Sequence, residues 1–447
     1  MKNTPAMADY ELRHIEALRK NLAGCTVLLK KDGSFPLEKP CTLAAYGSGV
    51  RRTIRGGTGS GEVNSRYSVT IEEGLQQAGF TLTGMEWHTG YEQARKKAHK
   101  AFLKQLKKDA KAVKQNFILY GMGKAMPEPE YNLPLNAEGD AAIYVVSRIS
   151  GEGNDRTPLK GDIRLTDSEV RDILALDKKF TRFMLVLNVG GVVDLSPVMD
   201  VRNILLLSQL GVETGGALAD ILLGKANPSG KLTTTWAAFE EYPEMPDFED
   251  MNETRYREGI YVGYRYFDTF RKPALFPFGH GLSYTEFRLG AVAVEANGAQ
   301  ITVRTFVENI GALAGRQVVQ VYLSKPPANS MHLGRSFAPL PKRTSLPPVK
   351  RNRSPAPLPC RRWQPMIPKL LLYSGGRRLP CPCRCQQRRN RPRRRPASGQ
   401  DKSRPCRQIM CLAAQISLTL LPLPQRWNAR QVCRSSKSTR SRLPVKR

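Results

Sequence analysis

Apolar and polar positions divide this chain into three stretches. From Ala141 to Val146 it reads Ala-Ala-Ile-Tyr-Val-Val, apolar on both faces of an extended strand, as in a strand buried within a parallel sheet. Cys25 to Leu29, Thr42 to Tyr46, Phe80 to Leu82, Arg182 to Val189 and Asn203 to Ser208 predict further strands, and Phe117 to Tyr120 is strand-like. Helical spacing of Tyr10, Leu12, Ile15, Leu18 and Leu22 predicts a helix with Asp9 as N-cap. Val69 to Ala78, a helix capped by Thr166 or Asp167 and running to about Lys179, and Gly215 to Leu223 predict three more. Tyr91 to Gln115 reads as a long helix whose lysine run is a solvated face. Strands alternating with helices predict an α/β sandwich with a mainly parallel sheet over residues 1–240. Residues 241–286 form an aromatic, turn-rich connecting segment, and 287–329 alternate like the opening strands of an antiparallel β-sandwich. Residues 330–447 keep no sustained period and are expected to be disordered or translated out of frame.

Charge repeats that division. The formal net charge of the 447 residues is +31, yet from Met331 onward 29 Lys and Arg face a single acid, Asp401. That leaves +3 for the first 330 residues, the balance of an ordinary globular protein, and assigns the basic character to the tail. Only Cys25 and Cys41 precede residue 331, which argues against a disulfide framework and for a cytoplasmic location. The first 20 residues lack the apolar core of a secretion signal, and no run is long and apolar enough for a transmembrane helix.

Candidate chemistry lies behind the central strand, in Ser147 to Arg156, SRISGEGNDR. Ligands of open α/β sheets bind beyond the carboxyl ends of the strands. Glu152 stands there between two glycines, either a catalytic acid or a solvated loop glutamate; spacing does not choose between them. The stretch Gly47 to Arg52 lacks the third glycine of a dinucleotide fingerprint. Gly224 to Lys231 has one residue too many for a P-loop and Leu232 where a Ser or Thr is needed, so both stretches read as turns. Cys381, Cys383 and Cys385 lack the paired spacing of a zinc site. No metal or cofactor is expected.

Several long motifs point one way. LLKKDGSFPL (28–37), IRGGTGSGEVNSRYSVTIEEGL (54–75), VVSRISGEGNDRTPLKGDIRLTDSE (145–169), LADILLGKANPSGKLTTTW (218–236), YVGYRYFDTF (261–270) and FPFGHGLSYTEF (276–287) occur in order. Over about residues 10–325 the chain resembles the C-terminal α/β-sandwich domain of glycoside hydrolase family 3, the β-glucosidases, followed by the start of a fibronectin-III-like domain. The resemblance implies a retaining hydrolase. In it an aspartate of a (β/α)8 barrel attacks the anomeric carbon, and a second carboxyl, about 5 Å away, protonates the leaving oxygen. It assigns that acid/base role to Glu152. It makes Gly57, Thr58, Gly59, Ser60, Glu62 and Arg66 candidate walls of the pocket and Asp155 and Arg156 its supports, with a β-glucoside or oligosaccharide as substrate.

The chain departs from the family pattern. No barrel precedes residue 10, which fits a permuted domain order with the barrel after the fibronectin-like domain. The tail occupies that place instead, and no Ser-Asp-Trp nucleophile motif occurs. The expectation is a form with the acid but not the nucleophile, inactive alone. The competing expectation is a non-catalytic α/β module with a basic, nucleic-acid-binding arm. Otherwise nucleic acid is expected to bind only non-specifically through the tail, and no membrane partner is expected.

Overall fold

A computed structural model describes residues 7–121, 124–151, 156–244, 253, 255–297 and 300–323, with backbone segments at 336–338, 351–359, 370–374 and 377–378. The expected α/β layer is present. Helix α1 (Asp9–Leu22) leads into β1 (Val27–Lys30) and β2 (Thr42–Tyr46). Then come α2 (Ile71–Gln77), β3 (Thr81–Thr83), α3 (Met85–Ala112), α4 (Phe117–Gly121) and β4 (Ala141–Arg148). The layer ends with α5 (Asp167–Lys179), β5 (Phe183–Val189), β6 (Ile204–Leu206) and α6 (Thr214–Leu222).

The six strands stand in the order β1-β6-β5-β4-β2-β3, all parallel except β1, which runs antiparallel to β6 at the edge. Every residue of β4 and β5 is buried, as expected for strands covered on both faces. On one face Tyr144, Leu185 and Leu187 pack with Trp87 and Tyr91 of α3 and Ile173 and Leu176 of α5. On the other, Ile143, Val145 and Val186 pack with Ile71 and Leu75 of α2 and Leu218 and Ile221 of α6. Each such aliphatic side chain contributes about 1.5–3 kcal/mol on burial.

The strand order carries a functional consequence. The chain goes outward from β2 to β3, then jumps back past β2 to β4 and continues the other way through β5 and β6. Neighbouring strands β2 and β4 therefore form a topological switch point, where the loops leaving their carboxyl ends diverge and open a crevice.

Three local expectations are corrected, the first being that Ala8 rather than Asp9 is the N-cap of α1, its N–H donating to Glu11. Phe117 to Tyr120 is helix α4 and not a strand, because Asn116 Oδ1 accepts from the backbone N–H of Ile118 (2.8 Å) and so caps a helical turn. The helix at Tyr91 begins at Met85, directly after Gly84 in the left-handed region at φ +88°. In the connecting segment, Tyr264–Phe270 forms a short helix, α7.

Strands β7 (Phe287–Leu289), β8 (Ala293–Asn297), β9 (Gln300–Asn309) and β10 (Gln320–Leu323) follow the alternation read there. Four tail segments are paired with them or with each other: β11 (Ser336–Ala338), β12 (Arg351–Pro359), β13 (Leu370–Ser374) and β14 (Arg377–Arg378). β12 runs antiparallel to β9 along its whole length and is the edge of its sheet. Its prolines, Pro355, Pro357 and Pro359, alternate, so their missing N–H groups fall on one side, a pattern an edge strand accommodates. The remaining tail, Cys381 to Cys385 included, lies outside the described residues.

Candidate active site

The loop leaving β2 turns at Gly47 (φ +90°) and returns over the sheet end as Arg52 to Gly61. Asn188, fully buried near the end of β5, holds it there. Its Oδ1 accepts from Ile54 N–H (2.7 Å), and its Nδ2 donates to Ile54 O (2.9 Å) and Ser208 O (2.7 Å). Ser147 Oγ, near the end of β4, donates to Arg52 O (3.3 Å). A residue pinned through both its N–H and its C=O cannot slide, so Ile54 fixes where the glycines begin.

Those glycines meet the loop leaving β4. A Cβ added to Gly57 would lie 2.9 Å from Ser150 O and 3.2 Å from Gly151 Cα, and one added to Gly151 would collide with Thr58 N. Only glycines allow the two backbones to come this close. Glu152, Gly153, Asn154 and Asp155 lie outside the described residues.

Ser150 and Arg156 on either side of this stretch are anchored together. Arg156 Nη1 donates to Ser150 Oγ (3.2 Å), while Arg156 Nε donates to Asp162. The second oxygen of Asp162 accepts from Thr157 N–H (2.6 Å), and its backbone oxygen accepts from Arg148 Nε (3.0 Å). Arg156 therefore pairs with Asp162, six residues on. Arg148 in turn forms a buried pair with Glu169 (2.6 Å) in the first turn of α5. Glu169 also accepts from Thr166 N–H (2.8 Å), completing a capping box, so one carboxylate starts a helix and neutralises a buried guanidinium. Nearby Glu128 accepts from the Tyr91 hydroxyl; burial, and then the Glu169 carboxylate, push its pKa up to about 7.

Beside the glycines a cavity of about 670 Å³ is lined by Arg51, Arg52, Arg55, Gly56, Gly57, Gly61 and Glu62, with Ile149 from the β4 loop. Arg51 is tied to Glu72 (2.9 Å). Arg66 is held by Glu11 of α1 and does not line the cavity. Thus the structure brings Gly57, Thr58 and Arg156 against Ser150 and Gly151, puts Glu62 on the cavity wall, and turns Arg66 towards α1. Asn188, Arg148 and Asp162 were missed from sequence, as was the pairing of the helix-capping Glu169 with Arg148. A lone Asn in Phe-Met-Leu-Val-Leu-Asn-Val and an Arg ending an apolar strand were the available signals.

The model of the glycosyl hydrolase family 3 C-terminal domain matches residues 26–284. The chain belongs to glycosyl hydrolase family 3. It is 35% identical over 364 residues to beta-glucosidase A of Butyrivibrio fibrisolvens, covering 70% of this chain and 42% of that protein. It is 34% identical over 315 residues to a beta-glucosidase of Ruminococcus albus, covering 67% of this chain and 31% of that one. Beta-glucosidase 3B of Thermotoga neapolitana, solved in complex with glucose, superimposes with a TM-score of 0.66 at 32% identity, over 79% of this chain and 49% of that one. The chain thus spans less than half the length of these family 3 relatives.

Proposed function

We propose that this chain carries the proton-donating half of a retaining β-glucosidase site. Glu152 is its general acid/base, Gly57, Thr58, Gly59, Ser60 and Glu62 bound the substrate, and Asp155 and Arg156 support the acid-bearing loop. The observation that carries the reading is the contact of Gly57 and Thr58 with Gly151, which joins the glycine loop to the residue preceding Glu152 at the switch point of the sheet. A β-glucoside or oligosaccharide is the substrate; the neapolitana relative was solved with glucose. Hydrolysis needs a nucleophile opposite the acid. No Ser-Asp-Trp occurs in these 447 residues, so the attacking aspartate comes from outside them. Residues 287–329 read as the opening of a fibronectin-III-like sandwich. The unpaired Cys25 and Cys41 fit a cytoplasmic setting.

The test is hydrolysis of 4-nitrophenyl β-glucoside. The chain alone should not exceed the uncatalysed rate. Adding a family 3 barrel domain that carries the nucleophile should raise turnover, and Glu152→Gln should then lower it by about 10²–10⁴-fold. Turnover by the chain alone that disappears in Glu152→Gln would place a nucleophile inside it. Restored turnover indifferent to Glu152→Gln would remove the acid assignment.

A further inference from the structure

Helix α3 is anchored at its beginning and open along most of its length. Trp87, His88 and Tyr91 are buried against the sheet; beyond them only Leu106 and Ala110 are buried. Leu106 is covered by α4, where a Cβ on Gly121 would lie 3.0 Å from its Cδ2. α3 and α4 therefore form a helical hairpin whose outer flank faces water.

That flank is ordered in charge. At 100° per residue, Lys96, Lys100, Lys104, Lys107, Lys108 and Lys111 fall within an arc of about 120° and extend along about 22 Å of helix. All six are exposed. The sole acid between them in sequence, Asp109, falls outside the arc and accepts from Gln105 Nε2 (2.8 Å). At the hairpin tip, Val113 (53%), Ile118 (71%) and Leu119 (68%) are exposed. Lys107 Nζ sits 5.4 Å from the centre of the Phe117 ring, which makes the cationic arc continuous with the aliphatic tip.

We propose that the α3–α4 hairpin is a docking surface for an acidic lipid membrane, with the lysine arc over the headgroups and Ile118 and Leu119 entering the interface. Lysine point charges on one flank with exposed aliphatics beside them are the composition of an interfacial helix. Recognition of nucleic acid by phosphate forks and base stacking would call for arginine and exposed aromatics, which the arc does not supply. The association is peripheral: no described helix is long and apolar enough to cross a membrane.

The test is co-sedimentation of the full chain with phosphatidylcholine vesicles, with and without 30% phosphatidylserine. Because the tail is itself basic, two variants removing four positive charges each are compared. One carries Lys100→Gln, Lys104→Gln, Lys107→Gln and Lys111→Gln; the other carries Arg391→Gln, Arg393→Gln, Arg394→Gln and Arg395→Gln. The first should weaken binding to acidic vesicles about tenfold and the second less than about twofold. Ile118→Ser with Leu119→Ser should weaken vesicle binding several-fold and leave retention on duplex DNA unchanged. Equal losses in the two charge variants would reduce the effect to net charge and overturn the proposal. So would serine variants that bind vesicles like the parent, or lysine variants that lose DNA binding while keeping vesicle binding.

Discussion

One fully buried amide at Asn188 pairs with two carbonyls and one N–H of half-buried loop backbone. An unpaired buried polar group costs about 1–3 kcal/mol, and the three are coupled through one loop, so Asn188→Ala should destabilise by about 3 kcal/mol. Urea unfolding should record that loss, and amide exchange at 53–57 should rise more than at α5. A drop of under about 0.5 kcal/mol would mean that water replaces the amide. At this scale sequence reading named a candidate acid and stopped short of the residues that hold its loop. The Gly56–Gly61 and Gly151–Arg156 stretches stood out by their glycines, and the acid role of Glu152 came from the family resemblance rather than from spacing. Asn188, Arg148 and Asp162 did not stand out, because their partners lie 134, 21 and 6 residues away and only the folded chain brings them together.

Among elements, strands covered on both faces were the most legible, since a run such as Ala141 to Val146 has few alternatives. Helix α4 failed for a local reason: four apolar residues suit strand or helix alike, and the Asn116 cap decides. Helix α3 shows what a dry anchor implies for pH. His88 is buried in its first turn, with Nε2 3.0 Å from Ala45 O, and burial holds its pKa down to about 4, below the ordinary 6.5. The folded state thus keeps this ring neutral where the unfolded chain would protonate it. Its contribution is complete above about pH 6.5 and declines as pH falls towards 4. His88→Gln, which keeps a donor for Ala45, should flatten that part of the stability–pH curve in thermal melts. An unchanged slope would assign the acid sensitivity to other groups.

For the whole molecule, the boundary in composition near residue 330 is crossed by strand pairing. Residues 9–222 build a three-layer unit with two cores, β7 to β10 belong to antiparallel sheets, and β11, β12 and β13 contribute by pairing along β9 and β10. A chain ending at residue 330 should therefore keep 141–148 protected in hydrogen exchange but exchange faster over 300–309. Equal protection of 300–309 in both chains would mean that the tail adds nothing to the fold. The charge step at Met331 was plain from counting residues; strand pairing within so proline- and arginine-rich a segment was not, because it follows no period.

The clasp between Ser150 and Arg156 has an evolutionary consequence. It fixes the two ends of the five-residue stretch between its posts relative to each other. On the proposed reading, in which Glu152 is the acid, substitutions there would retune proton donation while the posts keep their hold on β4. Loss of either post would let every such change spread into β4.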